Sequence, residues 1–323
     1  MELEIQYHPS VDQLALAGTI EDSLTELLPL SRVHKAGEED LDTWTQLREM
    51  GIFAIGLRED EGGSGLGAAE EALIAMALGR RLAAPAVFAT MGAAHAPALP
   101  MMRPGGGERV SSGYRREGKV VLVNDAAAQR ILVRGASGAE LFDSPQGADA
   151  GRAIDSRLWL SDLREAAALG APLVKFDEAG MLRLRLLDAA ALAGIAQAAL
   201  DMAVAYAGTR EQFGRPIGSF QAVKHHCANM AIAARCARDQ TAFAAVALDQ
   251  DREDAAFQVE SALFVAGSAA LDNAGKNIQI HGGLGFSDEA DPHLLIKRAQ
   301  LLLTVAGGLE AANDRIANST TGW

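Results

Sequence analysis

Cysteine, positive charge and long hydrophobic runs are scarce in this chain, and each shortage removes a class of explanation. Among its 323 residues are two cysteines, Cys227 and Cys236, with no CxxC or Cys/His spacing around them. That excludes a disulfide framework and leaves no metal or redox motif to argue from. The two fall in one predicted helix, where about 100° per residue sets them half a turn apart with a rise of roughly 13 Å, so they cannot pair with each other. They are read as free thiols of a reducing compartment. Lys and Arg number 29 against 42 Asp and Glu, a net charge of -13, and no basic cluster stands out. A nucleic-acid or anionic-membrane partner is therefore not expected, because such binding begins with Lys and Arg neutralising phosphates. No apolar run approaches the roughly 18 residues that cross a bilayer, and MELEIQYHPS has no positive stretch followed by an apolar one. The expectation is a soluble cytoplasmic protein, without internal repeats or a low-complexity tail.

What is present is 49% apolar content, enough for a large core and for two or three domains. Apolar positions near period 3.6 predict helices over Val11 to Leu30, Leu41 to Met50 and Ala68 to Leu82. Between the last two lies REDEGGSGLG, Arg58 to Gly67, whose glycines predict a loop. Pro104-Gly105-Gly106-Gly107 reads as a domain boundary. After it, Lys119 to Asn124, Arg130 to Arg134, Arg157 to Leu160 and Leu173 to Phe176 read as short strands between Gly, Asp and Ser. Helical periodicity then returns at 188 to 211, 219 to 249, 253 to 280 and 292 to 316, alanine-rich and long, the pattern of an antiparallel four-helix bundle. The expected fold class is α+β: a helical domain over 1–103, a small middle β domain over 104–187 and the bundle over 188–323.

Two segments between the long helices are distinctive: TREQFGRPIGSFQAVKH, Thr209 to His225, and QIHGGLGF, Gln279 to Phe286. Arg210 ends a helix just before a reversal at Gly214 and Pro216. A guanidinium presented there suits a phosphate, being always charged and a planar fork of donors; taken alone, it reads first as a solvated arginine at the negative end of a helix dipole. His281 reads as a hydrogen-bonded loop histidine. The adjacent His225 and His226 sit in a helix about 100° apart, so they cannot share a metal.

Together the two segments resemble the flavin-binding signature of the acyl-CoA dehydrogenase family: arginine, two spacers, Phe-Gly, one spacer, Pro-Ile, Phe-Gln, then Gln-x-x-Gly-Gly. Glu61, Gly62, Gly63, Gly65, Leu66 and Gly67 resemble that family's amino-terminal glycine loop, and the helix, sheet, helix order matches its architecture. The resemblance implies that Arg210, Gln212 and Phe213 contact the diphosphate and adenosine part of FAD, with Gln279, Gly282 and Gly283, and that this flavin belongs chiefly to a neighbouring subunit. It implies an acyl-CoA thioester substrate and a homo- or hetero-oligomer. GFSDEADPHLLIKRA resembles a variant of the family at Gly285, Phe286, Glu289, Asp291, His293, Leu294, Arg298 and Ala299, near bacterial members in which two different subunits make one enzyme, including some acting on steroid side-chain CoA thioesters.

The resemblance also shows what is missing. The family's α,β-dehydrogenation needs a positioned, desolvated carboxylate to take the α-proton. Its commoner place, a Glu in Tyr-Glu-Gly-Thr, falls here on Gly307; its alternative place, counted back from Gly194, falls on Leu184. Glu310 and Asp188 lie a few residues away and replace the base only if the alignment slips. The Thr-x-Gln that helps hold FAD is Leu309 and Ala311. The middle domain has no Thr-Glu-Pro-x-x-Gly-Ser-Asp or Trp-Ile-Thr-Asn; Ser111-Ser112 and Val123-Asn124-Asp125 are the nearest fragments. Arg185 aligns with a family arginine near the acyl-CoA, but beside Arg183 it reads as one face of a strand. No catalytic residue is assigned. The expectation is a subunit without the base that completes a partner's FAD site, against two alternatives: a flavin monooxygenase or oxidase on the same fold, and a cofactor-free scaffold.

Overall fold

The computed structural model describes residues 6–35, 38–96, 108–124, 126–136, 138–145, 151–152, 158–163 and 169–319. The expected boundary at Pro104 to Gly107 lies outside them, as do Asp125 and Arg157. Four helices open the chain: α1 (Val11–Leu27), α2 (Leu41–Glu49), α3 (Ala68–Arg80) and α4 (Pro85–Ala93). Ser10 caps α1 in a capping box with Gln13, and Asp40 caps α2, each satisfying N–H groups that a helix start leaves free. Nearly all of α3 and α4 is buried, so these two are core, and the others lie over them.

The glycine loop before α3 has a packing reason. The Asp249 carboxylate accepts from the Ala68 and Ala69 N–H groups at 2.5 and 2.9 Å, capping α3 from another part of the chain. A Cβ on Gly67 would lie 2.5 Å from that carboxylate, and one on Gly63 would lie 2.2 Å from the Leu57 carbonyl oxygen. Only glycine lets the loop fold back this closely.

The middle region is a seven-stranded sheet in the order β5-β6-β2-β1-β3-β4-β7. Its strands are β1 (Val110–Arg116), β2 (Lys119–Asn124), β3 (Arg130–Gly135), β4 (Gly138–Asp143), β5 (Gly151–Arg152), β6 (Trp159–Leu163) and β7 (Val174–Lys175). β1 pairs parallel with β3 and antiparallel with β2. β1 and β4 were not legible in the sequence: VSSGYRR alternates poorly, and it is a strand because both its edges are paired. One sheet face, with Val110, Leu132 and Leu141, packs on α4 and on Phe176 and Leu184; the other gathers Val120, Leu122, Ile131, Val133 and Phe142.

The bundle comprises α5 (Glu178–Thr209), α6 (Gln221–Asp249), α7 (Ala255–His281), α8 (Pro292–Val305) and α9 (Gly308–Ala317). Two expectations are corrected. α5 begins at Glu178 rather than 188, because Asp177 caps it through the Gly180 N–H at 2.9 Å and its first turns pack beneath the sheet. Arg183 and Arg185 are therefore helical, not strand residues. The helix expected over 292–316 breaks at Gly307 and Gly308, which take φ of 98° and 87°, a left-handed conformation that only glycine adopts freely.

α5 is long and apolar enough to cross a bilayer by composition, which no contiguous apolar run suggested, but most of its apolar window is buried in the bundle. Inside the bundle Asn273 is wholly buried and donates to the Ala196 carbonyl of α5 at 3.1 Å and the Met230 carbonyl of α6 at 2.9 Å, pinning three helices in register. One hydrophobic core runs from Leu24 and Ile74 of the opening helices through α5 to Leu263 and Leu302. Cys227 and Cys236 are free, and burial pushes the Cys227 thiol up, so it is a poor nucleophile.

Candidate functional site

The two distinctive segments meet at one end of the bundle. α5 stops at Thr209 because Arg210 turns extended, and a hairpin of β8 (Glu211–Gln212) and β9 (Arg215–Pro216) follows. Phe213 and Gly214 close it with φ of 54° and 75°, the pair of positive values that a two-residue type I′ turn requires. A phenylalanine held left-handed costs about 1–2 kcal/mol. Its ring is nevertheless 93% exposed, edge-on to Phe220 at 6.1 Å between centroids, and Arg215 lies over the Phe220 ring at 4.2 Å. An unfavourable backbone thus displays an aromatic ring outward. Arg210 is exposed; its backbone is held by bonds to Tyr206 and Ile217 at 2.8 Å, while its guanidinium has no ion pair among the described residues. Gln212 is exposed too, its amide turned back on the Glu211 carbonyl at 2.7 Å.

α7 ends beside this hairpin. Gln279 is exposed, and His281 is buried with its ring stacked 4.0 Å from Tyr206 of α5. This stack is the joint between the two segments. The His281 Nδ1–H donates to the Asn277 carbonyl at 2.8 Å, and burial pushes the imidazole below its ordinary range, so it stays neutral and structural as read from sequence. Gly282 takes φ 61° and ψ -139°, a region closed to side chains, with open space where a Cβ would stand. Gly283 is exposed and equally open, whereas Gly285 lets the chain pass the Ile278 carbonyl, which a Cβ would meet at 2.6 Å. Leu284 and Phe286 are exposed alongside.

A second place lies between sheet and bundle. A cavity of about 410 Å³ has both Leu184 and Gly307 on its wall, so the two positions read as sites of a missing base converge in space. Neither proposed substitute serves. Asp188, one turn beyond Leu184, is 3% exposed, off the wall and bonded to Arg134. Burial pushes its carboxyl up against the pull of that arginine. Glu310 is exposed and also off the wall. The one carboxylate on the wall, Asp314, is exposed, so it lacks the desolvation that makes a carboxylate an effective base. Arg185 is on the wall and is paired with Glu260 at 2.7 Å, which Arg315 also meets at 2.8 Å; Arg183 pairs with Glu71 at 3.3 Å. Ser111 is buried in β1 with its hydroxyl donating to the Arg130 carbonyl at 3.3 Å, so it presents nothing to a flavin ring. This ionic cluster was missed in the sequence. The signal was there: Arg185, Asp188 and Glu260 interrupt otherwise apolar helix seams.

Residues matched in the variant signature prove architectural. Arg298 is 1% exposed and donates to the Leu82 and Ala83 carbonyls at 2.8 and 2.5 Å. Asp291 is bonded to His34, and His293 is buried in α8. Arg298 and Asp291 tie the bundle to the opening region of the chain.

Residues 176–320 match the family model for the acyl-CoA dehydrogenase C-terminal domain, and residues 10–109 that for the N-terminal domain. The class is plain: the chain belongs to the acyl-CoA dehydrogenase family. It is 46% identical over 121 residues to acyl-CoA dehydrogenase FadE34 of Mycobacterium tuberculosis, covering 37% of this chain and 17% of that protein. It is 40% identical over 114 residues to acyl-CoA dehydrogenase IpdE2 of the same organism, covering 35% of this chain and 34% of that protein. The chain thus matches between 17% and 34% of the length of these relatives. Its fold resembles the ChsE4-ChsE5 complex from Mycobacterium tuberculosis, with a TM-score of 0.74 at 22% identity over 97% of this chain and 98% of that one.

FAD is the cofactor of this family, and the two places differ in how they suit it. A diphosphate needs cationic donors and a backbone without Cβ atoms in its way. Arg210 and the open, side-chain-free Gly282 and Gly283 fit that need, facing out of the subunit. The cavity wall, with its arginines tied to buried carboxylates, does not reproduce a flavin-ring cradle.

Proposed function

We propose that the chain is a half-site subunit of a heteromeric acyl-CoA dehydrogenase, supplying Arg210, Gln212, Phe213, Gln279, Gly282 and Gly283 to an FAD held mainly by another subunit. The observation that carries this is the contrast between the two places: an outward-facing group of donors and aromatic surface that is intact, and an inward cavity with Leu184 and Gly307 where a base would stand. When bound, FAD would accept a hydride from the β-carbon of an acyl-CoA thioester. This chain's part is to hold the diphosphate charge with Arg210, admit it closely at Gly282 and Gly283, and cover the adenosine side with Phe213. The proton and the ring are the partner's business, so the base is missing without loss.

The test is the visible spectrum and acyl-CoA turnover of the chain alone and co-purified with a base-bearing dehydrogenase subunit. The chain alone is expected colourless and inactive, and the complex yellow. Arg210→Ala is expected to leave assembly intact and weaken flavin retention about tenfold to a hundredfold, the worth of a charged hydrogen-bonding group. One flavin per chain with turnover by the isolated chain overturns the reading. Unchanged flavin retention in the Arg210→Ala complex overturns it in favour of a scaffold.

A further inference from the structure

We propose that Tyr206 and His281 are the positioning pair of the outward-facing site: their stacked rings set where Arg210 stands against the glycine turn, and the flavin affinity of an assembled complex depends on that stack through Arg210. This rests on the half-site reading and adds to it two residues that act through others.

The residues offered to the flavin come from two helix ends, Arg210, Gln212 and Phe213 from the end of α5 and Gln279, Gly282 and Gly283 from the end of α7. A diphosphate lies against both only when the two ends already stand at one spacing, since ordering them at the moment of binding would cost affinity. α5 and α7 run side by side in the same direction, and their contacts advance together towards these ends. Ala196 meets Asn273, the Met202 sulfur meets the Asn277 amide at 3.3 Å, and the Tyr206 ring stacks on His281 at 4.0 Å with 21° between the planes. The last two rungs each join residues 75 apart in sequence, with a step of four on both helices. One more step of four reaches Arg210 on one side and the glycine turn, Gly282 to Gly285, on the other.

Each ring is tied to the segment it serves. The Tyr206 carbonyl accepts from the Arg210 N–H at 2.8 Å, and His281 immediately precedes Gly282, whose own N–H returns to the Gln279 carbonyl. The Nδ1–H bond to the Asn277 carbonyl at 2.8 Å fixes the rotation of the imidazole, and Asn277 is wholly buried. Little else holds the end of α5. Val204, Ala205, Gly208 and Thr209 are exposed, and beyond the half-buried Tyr206 only Ala207 is buried. Helix ends fray where packing does not hold them. With no ion pair on its guanidinium among the described residues, Arg210 is aimed by its backbone, and that backbone is anchored one turn back at Tyr206. Losing the stack removes one aromatic pair, about threefold to tenfold in an affinity that depends on it. A pair that only held the fold together would act alike with or without Arg210, whereas a positioning pair acts through it.

The probe is FAD, titrated by flavin fluorescence into the full chain assembled with a base-bearing dehydrogenase subunit and stripped of flavin. His281→Leu and Tyr206→Leu keep apolar bulk but remove the stack, and each is expected to weaken FAD about threefold to tenfold with assembly unchanged. Tyr206→Phe and His281→Phe keep a ring in place and are expected to stay within about twofold of the unaltered complex. In the Arg210→Ala background either leucine variant is expected to cost less than about twofold more, because the group it would misplace is gone. Tyr206 is only half-buried, so its variants keep the test decisive should His281→Leu fold poorly. A complex that holds no FAD at all overturns the half-site reading and this one with it. A complex that holds FAD undiminished in both leucine variants, that loses as much in the phenylalanine variants as in the leucine ones, or that loses the same factor with and without Arg210 overturns the positioning role alone.

Discussion

Replacing Arg298 by leucine is expected to destabilise the chain by about 3 kcal/mol, and to loosen the opening helices before the bundle. The reason lies in the reversal between α3 and α4. There Leu82 adopts a φ of 52°, a left-handed conformation unfavourable for a leucine. Its carbonyl and that of Ala83 are buried and accept from the wholly buried Arg298 guanidinium. Arg32 holds the same turn from the other side, donating to the Arg81 and Leu82 carbonyls at 2.8 and 3.2 Å while paired with Glu39, which in turn accepts from the Ala84 N–H at 2.9 Å. Leucine fills the volume but donates nothing, so the buried Ala83 carbonyl loses its Arg298 donor at about 1–3 kcal/mol and the Leu82 carbonyl on the strained turn keeps only Arg32. Relief of a buried cation offsets only part of this. Urea unfolding measures the loss, and limited proteolysis should show first cuts before residue 96. A loss under about 1 kcal/mol, or first cleavage within the bundle, would show that Arg298 is not the clasp.

Gly194→Ala is expected to cost about 3 kcal/mol or more, for one added methyl group. α3 and α5 cross backbone to backbone at two reciprocal points. A Cβ on Gly194 would lie 2.0 Å from the Met76 carbonyl oxygen and 2.6 Å from the Arg80 nitrogen, and one on Gly79 would lie 2.1 Å from the Ala191 carbonyl oxygen. Backbone atoms of two buried helices cannot step aside as a side-chain tip can, so the helices must separate and open the core that joins the opening helices to the bundle. Gly79→Ala should cost a similar amount, and the double variant less than the sum, because the first separation makes room for the second. Gly208→Ala, in the same helix with nothing within 4 Å of its Cβ, is the control and should be neutral or slightly stabilising. Equal thermal midpoints for the Gly194→Ala and Gly208→Ala variants would refute the close-crossing argument.

Legibility followed the range of the interactions. Helices with strong period 3.6 were found with ends within a few residues, as at α6 and α7, because burial on one face writes itself into local spacing. The start of α5 was not, since RLRLLDAAA satisfies a strand pattern locally and becomes helical under the Asp177 cap and the sheet above it. The break at Gly307 and Gly308 was also hidden: two glycines inside an apolar run can continue a helix or end it, and here their positive φ ends it. Arg210, Gln212, Phe213, Gln279, Gly282 and Gly283, the residues proposed for the flavin, were named from the sequence and are exposed, yet only coordinates show that the Tyr206 and His281 rings join the two segments. Of the cavity, the absence at Leu184 and Gly307 was legible, but not that both positions share one wall.

By itself the sequence determined the family, the helix, sheet, helix order, the two segments that face outward and the lack of a carboxylate where a base would stand. These are matters of residue type and spacing along one chain. Tertiary structure alone decided what stands beside that place: Arg134 with Asp188 and Arg185 with Glu260 and Arg315 are residues far apart in sequence, and only packing the sheet against the bundle made them neighbours. Charge balance in a buried space is set by proximity, which no spacing along the chain records.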